Sequence, residues 1–153
     1  MVQTPEIKLL RGFCALPFGA SKENAVLLFG EPEEVQDITD EILNNHSRVY
    51  HYWEQGFSLF FDTNRSQTFC SVQIDNRDTI LFDTRIFSLK EKEIIALMNN
   101  NGFSLTDIEV HQWGERRVSF DDAGLDCYFE NNKLVSVNFG IIEPENKFQY
   151  FPN

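Results

Sequence analysis

Two stretches of this chain follow one pattern. GFSLFFDTNRSQTFCSVQI runs from Gly56 to Ile74, and GLDCYFENNKLVSVNFG runs from Gly124 to Gly140. With Gly56 set on Gly124, Phe57 meets Leu125, Phe60 meets Tyr128, Phe61 meets Phe129 and Asp62 meets Glu130. After a turn that is longer in the first stretch, Phe69–Ile74 meets Leu134–Phe139. Upstream, Tyr50 and Tyr52 meet Val118 and Phe120, and Val26 and Phe29 meet Ile94 and Leu97. Identities are few, but the pattern runs over roughly residues 13–74 and 82–139 of a 153-residue chain. A chain of this length holds about one ordinary domain. An internal period therefore predicts a single domain of two repeats, about 13–79 and 80–142, with a C-terminal tail at 143–153.

Each copy reads in the same order. An extended segment comes first, Phe13–Phe18 or Ile80–Phe87. A helix follows: Ser21 caps Lys22–Phe29, which Gly30-Glu31-Pro32 stops, and Ser88 with Glu91 forms a capping box for Leu89–Asn99. Four strands complete each copy, at Glu33–Ile38, Arg48–Trp53, Phe57–Asp62 and Phe69–Ile74, and at Ser104–Trp113, Arg117–Asp121, Leu125–Glu130 and Leu134–Phe139. Glu130-Asn-Asn-Lys133 reads as a hairpin turn. Short strands with one helix per copy predict an α+β fold. Two tandem helix-plus-antiparallel-strand units form one sheet, with helices on one face and an open opposite face.

Strand alternation assigns the faces. Phe57, Leu59 and Phe61 point inward with Leu125, Cys127 and Phe129, and so do Tyr50, Tyr52, Val118 and Phe120. The same alternation turns Cys70, Val72, Ile74, Val135, Val137 and Phe139 inward, and Phe69 and Leu134 outward. The outward set then holds the rings Trp53, Phe60, Phe69 and Tyr128, the carboxylates Asp62, Asp121, Asp126 and Glu130, and no Lys or Arg. Aromatic anchors among acidic residues have the composition of a surface that recognises a basic protein. These eight residues are the expected partner-binding set. The competing reading covers the same rings by cross-strand pairing, by the tail Phe148-Gln-Tyr-Phe-Pro, or by a second copy in a homodimer.

Charge points the same way. A net charge of −11 argues against nucleic acid and anionic membrane as partners, since both need clustered Lys and Arg. No stretch approaches the roughly 20 apolar residues of a membrane span. Cys14, Cys70 and Cys127 make neither a disulfide framework nor a zinc pattern, so reduced thiols in a cytoplasmic protein are expected.

Catalytic signatures are missing. His46, His51 and His111 have no partner at metal-ligand spacing, and no glycine-rich loop would cradle a phosphate. Asp121-Asp122 reads as a turn former, Glu31–Glu41 as a solvated acidic run, and Trp113-Gly-Glu-Arg-Arg117 as a surface turn. No cofactor, metal or catalytic residue is expected.

The element Ser21–Pro32, with its Gly30-Glu31-Pro32 stop before short strands, resembles the helix–Gly–x–Pro–strand unit of the SmpA/OmlA small lipoproteins. Two such units in tandem resemble the β-lactamase inhibitor protein fold. The resemblance implies helices against a concave antiparallel sheet that grips a protein. The chain departs from the inhibitors in its odd cysteine count, and from the lipoproteins in lacking an acylated cysteine, so β-lactamase as a target does not carry over. The expected function is non-enzymatic protein binding, inhibitor-like or immunity-like. The alternatives are a small-ligand protein or enzyme with a pocket near His51, Trp53, Asp121 and Tyr128, and a homodimer of structural role.

Overall fold

The strands that form are the ones rich in aromatic and β-branched residues, which suit a pleated, half-buried surface. The computed structural model describes residues 4–42, 45–62 and 67–141. In chain order the elements are β1 (Ile7–Lys8), β2 (Gly12–Phe13), β3 (Leu16–Pro17), α1 (Lys22–Phe29), β4 (Glu34–Asp40), β5 (Asn45–Tyr52), β6 (Phe57–Asp62) and β7 (Thr68–Ile74). Then come β8 (Ile80–Leu81), β9 (Thr84–Arg85), α2 (Glu91–Asn100), β10 (Asp107–Val110), β11 (Glu115–Phe120), β12 (Leu125–Glu130) and β13 (Lys133–Gly140). The tail at 143–153 proposed to cover the sheet lies outside the described residues.

One eight-stranded sheet dominates, in the order β10-β11-β12-β13-β7-β6-β5-β4. Every neighbouring pair is antiparallel. The expected α+β architecture of two helix-plus-strand units is therefore corrected. Among the described residues 47% are strand and 18% helical, 3₁₀ turns included, and the two α-helices there have eight and ten residues. Neither makes a full layer. Helix α1 buries only Ala25 and Phe29 and leaves Leu27 83% exposed. The segments expected to be extended close into two tight hairpins, β2–β3 and β8–β9, with Cys14, Phe82 and Asp83 at positive φ in their turns.

The helix ends follow local chemistry. The Ser21 hydroxyl accepts the Asn24 N–H at 3.1 Å, and Gly30 ends α1 at φ 86°. Helix α2 begins two residues later than expected. Its Glu93 carboxylate accepts the Lys90 N–H at 2.8 Å, while Ser88 belongs to a 3₁₀ turn over Ile86–Ser88. Asn131 (φ 53°) and Asn132 (φ 63°) make the β12–β13 hairpin with the left-handed pair that such two-residue turns require.

One core lies on one side of the sheet. Phe13 packs against Phe57 (ring centroids 4.8 Å), Phe29 (5.8 Å) and Phe139 (6.4 Å). Phe57, Leu59, Phe61, Val118, Phe120, Leu125, Cys127 and Phe129 all point into it, as alternation predicts. Alternation fails at two places. Phe60 pairs with Ser71 but Phe61 pairs with Phe69, so the register skips Cys70. Tyr128 pairs with Ser136 but Phe129 with Leu134, so Val135 is skipped. These are β-bulges, and each flips the residue beyond it to the other face. Phe69 and Leu134, expected outside, are fully buried, whereas Cys70 and Val135, expected inside, are only half-buried. Phe69 is also held by Phe18 (5.0 Å) and by backbone hydrogen bonds to Gly19 and Ala20 at 2.8 and 2.9 Å.

Candidate functional site

The buried residues of the helices and hairpins join the core cluster on one side of the sheet, and alternate strand residues form the opposite face. Across that face runs an unbroken polar row. Strand register places Glu34, His51, Ser58, Gln73, Asn138, Asp126, Ser119 and Asp107 side by side, one from each of the eight strands. Adjacent strands lie about 4.8 Å apart, so the row is roughly 34 Å long. Its centre is the Gln73–Asn138 pair, where β7 meets β13, and both ends are acidic.

In one half of the row, His51 is buried and both ring nitrogens are engaged. Nδ1 lies 2.7 Å from the Ser58 hydroxyl and Nε2 2.9 Å from the Gln36 side-chain oxygen. Because Gln36 Oε1 can only accept, Nε2 carries a proton; in the neutral ring Nδ1 then accepts from Ser58. Trp53 lies flat on the imidazole, with centroids 4.2 Å apart and planes 9° from parallel. Its indole N–H donates to Glu34 at 3.3 Å.

Hydroxyl, imidazole and orienting amide follow the order of a nucleophile, base and orienter. Acyl transfer also needs donors for a developing oxyanion. Ser58 is the second residue of β6 and is paired on both edges, so the ladder occupies the local backbone N–H groups. The array therefore reads as a satisfied buried polar network that fixes Trp53.

The other half centres on Arg117, which faces Tyr128 in the register. Its guanidinium meets Glu109 at 2.8 Å, Asp107 at 3.3 Å and Asp126 at 3.7 Å, and it also donates to the Ser119 hydroxyl. Ser119 in turn donates to Asp126 at 2.6 Å. The Arg117 guanidinium holds the Glu109 carboxyl below the usual carboxylate range. Burial, then the neighbouring Asp126, pushes the Tyr128 phenol up. Burial does the same to the Cys127 thiol in the core, which keeps it protonated and unreactive.

The expected surface is thus partly assembled. Phe60, Asp62, Asp126, Tyr128 and Glu130 lie on the outer parity of their strands, and Trp53, 58% exposed, lies at the end of β5. Phe69 is in the core, moved there by the bulge. Asp121 leaves the ladder and opens a 3₁₀ turn over Asp121–Ala123. The expectation of a face without cations is also corrected. Arg117, read both as the end of a surface turn and as the start of a strand, lies within β11 on the outer parity, and Lys133 stands opposite Glu130 at the hairpin end. Arg117 shares parity with Ser119, so alternation could have placed it.

A cavity of about 190 Å³ opens beside His51, Trp53, Ser58, Gln73 and Asp75. Asp121 and Tyr128, expected to share a pocket with His51 and Trp53, do not line it. Among the described residues, no three His, Cys, Asp or Glu side chains gather as metal ligands would. No described helix is long and apolar enough to cross a membrane.

No family model, curated protein or solved structure matches this chain.

Proposed function

We propose that the chain is a non-enzymatic, cytoplasmic protein that binds a basic protein partner through the outer face of its sheet, in an inhibitor-like or immunity-like role. The observation that carries this reading is the charge of that face. Glu34, Asp62, Asp107, Glu109, Glu115, Asp126 and Glu130 share it with Arg117 and Lys133, and Arg117 is already taken up by Asp107, Glu109 and Asp126. An excess of carboxylates on one face steers a cationic partner and rejects an anionic one. Trp53, with half-buried Phe60 and Tyr128 among these acids, offers rings of the kind that dominate interface energies, commonly about 2 kcal/mol or more each.

The test is affinity capture from native lysate with three forms of the chain. Wild type and Glu23→Lys, which alters the exposed surface of α1, should retain the same basic protein. Glu34→Lys/Glu130→Lys should lose it. Retention by the double variant, or a captured partner that is itself acidic, overturns the reading. Light scattering of the isolated chain settles the homodimer alternative: a dimer that the double variant leaves intact would mean that the face is not where copies meet.

A further inference from the structure

We infer that the cavity beside Trp53 is an arginine socket: it receives the guanidinium of one arginine presented by the protein partner. This rests on the protein-binding reading above and names the group that enters the site.

The lining residues differ in what they have left to offer. His51 and Ser58 bond each other, and His51 bonds Gln36, so the wall they form has little hydrogen-bonding capacity to spare. Gln73 and Asp75 are exposed at the rim, and among the described residues their side chains make no hydrogen bond or ion pair. One face of the Trp53 ring lies on His51, and the residue is still 58% exposed. The cavity therefore presents an aromatic plane, a carboxylate and an amide oxygen, all uncommitted.

The backbone that carries the carboxylate is held in place. Gly56, at φ 80°, turns its carbonyl to accept the N–H groups of Asp75 and Asn76 at 3.0 and 3.2 Å. The other half of the sheet makes the same backbone link, the Gly140 N–H to the Gly124 carbonyl at 3.0 Å, but has glycine where Asp75 stands. Its counterpart of Trp53 is Asp121. At these two equivalent positions the first half carries the ring and the rim carboxylate, and the second half carries Asp121 and Gly140.

Size and shape choose the ligand. About 190 Å³ lies below the roughly 300–1,000 Å³ of small-molecule sites, so the end of one side chain fits and a nucleotide does not. Guanidinium is planar, stacks on indole and sends several N–H groups sideways to carboxylate and carbonyl acceptors. Ammonium is a compact, strongly hydrated point charge and uses the ring plane less well.

Blocked arginine (N-acetyl-arginine methylamide) is titrated into full-length Trp113→Phe protein, whose remaining indole is Trp53. The expected result is a saturable fluorescence change, at least tenfold weaker in Asp75→Asn and absent with blocked citrulline, the neutral near-isostere. Unchanged melting of Asp75→Asn shows that the fold is intact. No saturation, equal binding by Asp75→Asn, or equal binding of citrulline overturns the socket. The partner's role is read separately. Asp75→Asn should weaken capture of the basic protein about tenfold. If Glu34→Lys/Glu130→Lys abolishes capture while Asp75→Asn leaves it unchanged, the docking face stands and the socket falls. If wild type captures nothing but blocked arginine still saturates, the docking face falls, and with it the partner as the source of the arginine.

Discussion

Phe69 and Leu134 occupy the same place in two hairpins, each just beyond a bulge, and each is fully buried where strict alternation would have turned it to the outer face. Phe69→Ala should therefore behave as a core truncation. The expected cost is roughly 3–5 kcal/mol, read as a lower denaturation midpoint. A surface ring would cost within about 0.5 kcal/mol. Phe60→Ala is the contrast, because Phe60 is half-buried on the other face, and it should cost distinctly less.

Those two residues depart from the face that alternation predicts because of what alternation can encode. A period of two carries face information only while the ladder stays in register. Leu59, Phe61, Cys127 and Phe129 precede or border the bulges and were placed correctly from the sequence. Nothing in Thr68-Phe-Cys-Ser marks Cys70 as the residue that drops out, since no glycine stands there. The Ser21 cap and the Asn131-Asn132 turn were legible because each depends on one or two adjacent residues. Both helices form close to where local signals place them, at Lys22–Phe29 and Glu91–Asn100, but the burial that decides whether a helix forms a layer is not local. In α1 only Ala25 and Phe29 are buried, while Leu27 and Leu28 stay exposed. Parity places Asp126 and Tyr128 on the outer face of the sheet, as the register shows. It does not mark the Gln73–Asp75 rim, which depends on how Gly56 pins the end of β7.

Ser58 and His51 form a buried pair, so removing one should strand the other. Ser58→Ala leaves Nδ1 without its donor, at an expected cost of roughly 1–3 kcal/mol. A double-mutant cycle with His51→Phe should give a coupling of about 0.5 kcal/mol or more, measured by urea denaturation. Additive losses would mean that the 2.7 Å contact is not energetically real. Trp53 fluorescence should shift in His51→Phe even where stability is kept, because the indole lies on that ring.

Gly56 and Gly102 separate two costs of a side chain at positive φ. At Gly102 (φ 90°) an added Cβ meets nothing within 4 Å, so Gly102→Ala carries only the backbone cost of about 1–2 kcal/mol. At Gly56 (φ 80°) the new Cβ would lie 2.8 Å from the Cβ of Asn76 and 3.0 Å from its Cα. Gly56→Ala should lose more than Gly102→Ala in thermal unfolding, and it should also displace the Asp75 rim. Weaker blocked-arginine binding by Gly56→Ala at a temperature where it remains folded is the expected sign.

Arg117 should leave its mark on the acid limb of stability. Its guanidinium lowers the Glu109 carboxyl in the folded state. The unfolded chain therefore binds more protons over the carboxylate range, and the contribution of the pair is complete above the unfolded pKa and lost as pH falls through the lower folded value. Arg48 does the same to Asp37 on β4. Both acids are solvent-facing, so the effect is read as a slope and weakens with salt. Urea midpoints taken from about pH 7 down to pH 3 should fall less steeply in Arg117→Gln than in wild type. Arg48→Gln should show its own reduction, and the double variant the sum of both, since the two pairs lie on opposite edges of the sheet. An Arg117→Gln slope equal to wild type would mean that the cation does not hold Glu109 in solution. The acidic face would then carry one more uncompensated carboxylate than the Arg117–Glu109 contact implies.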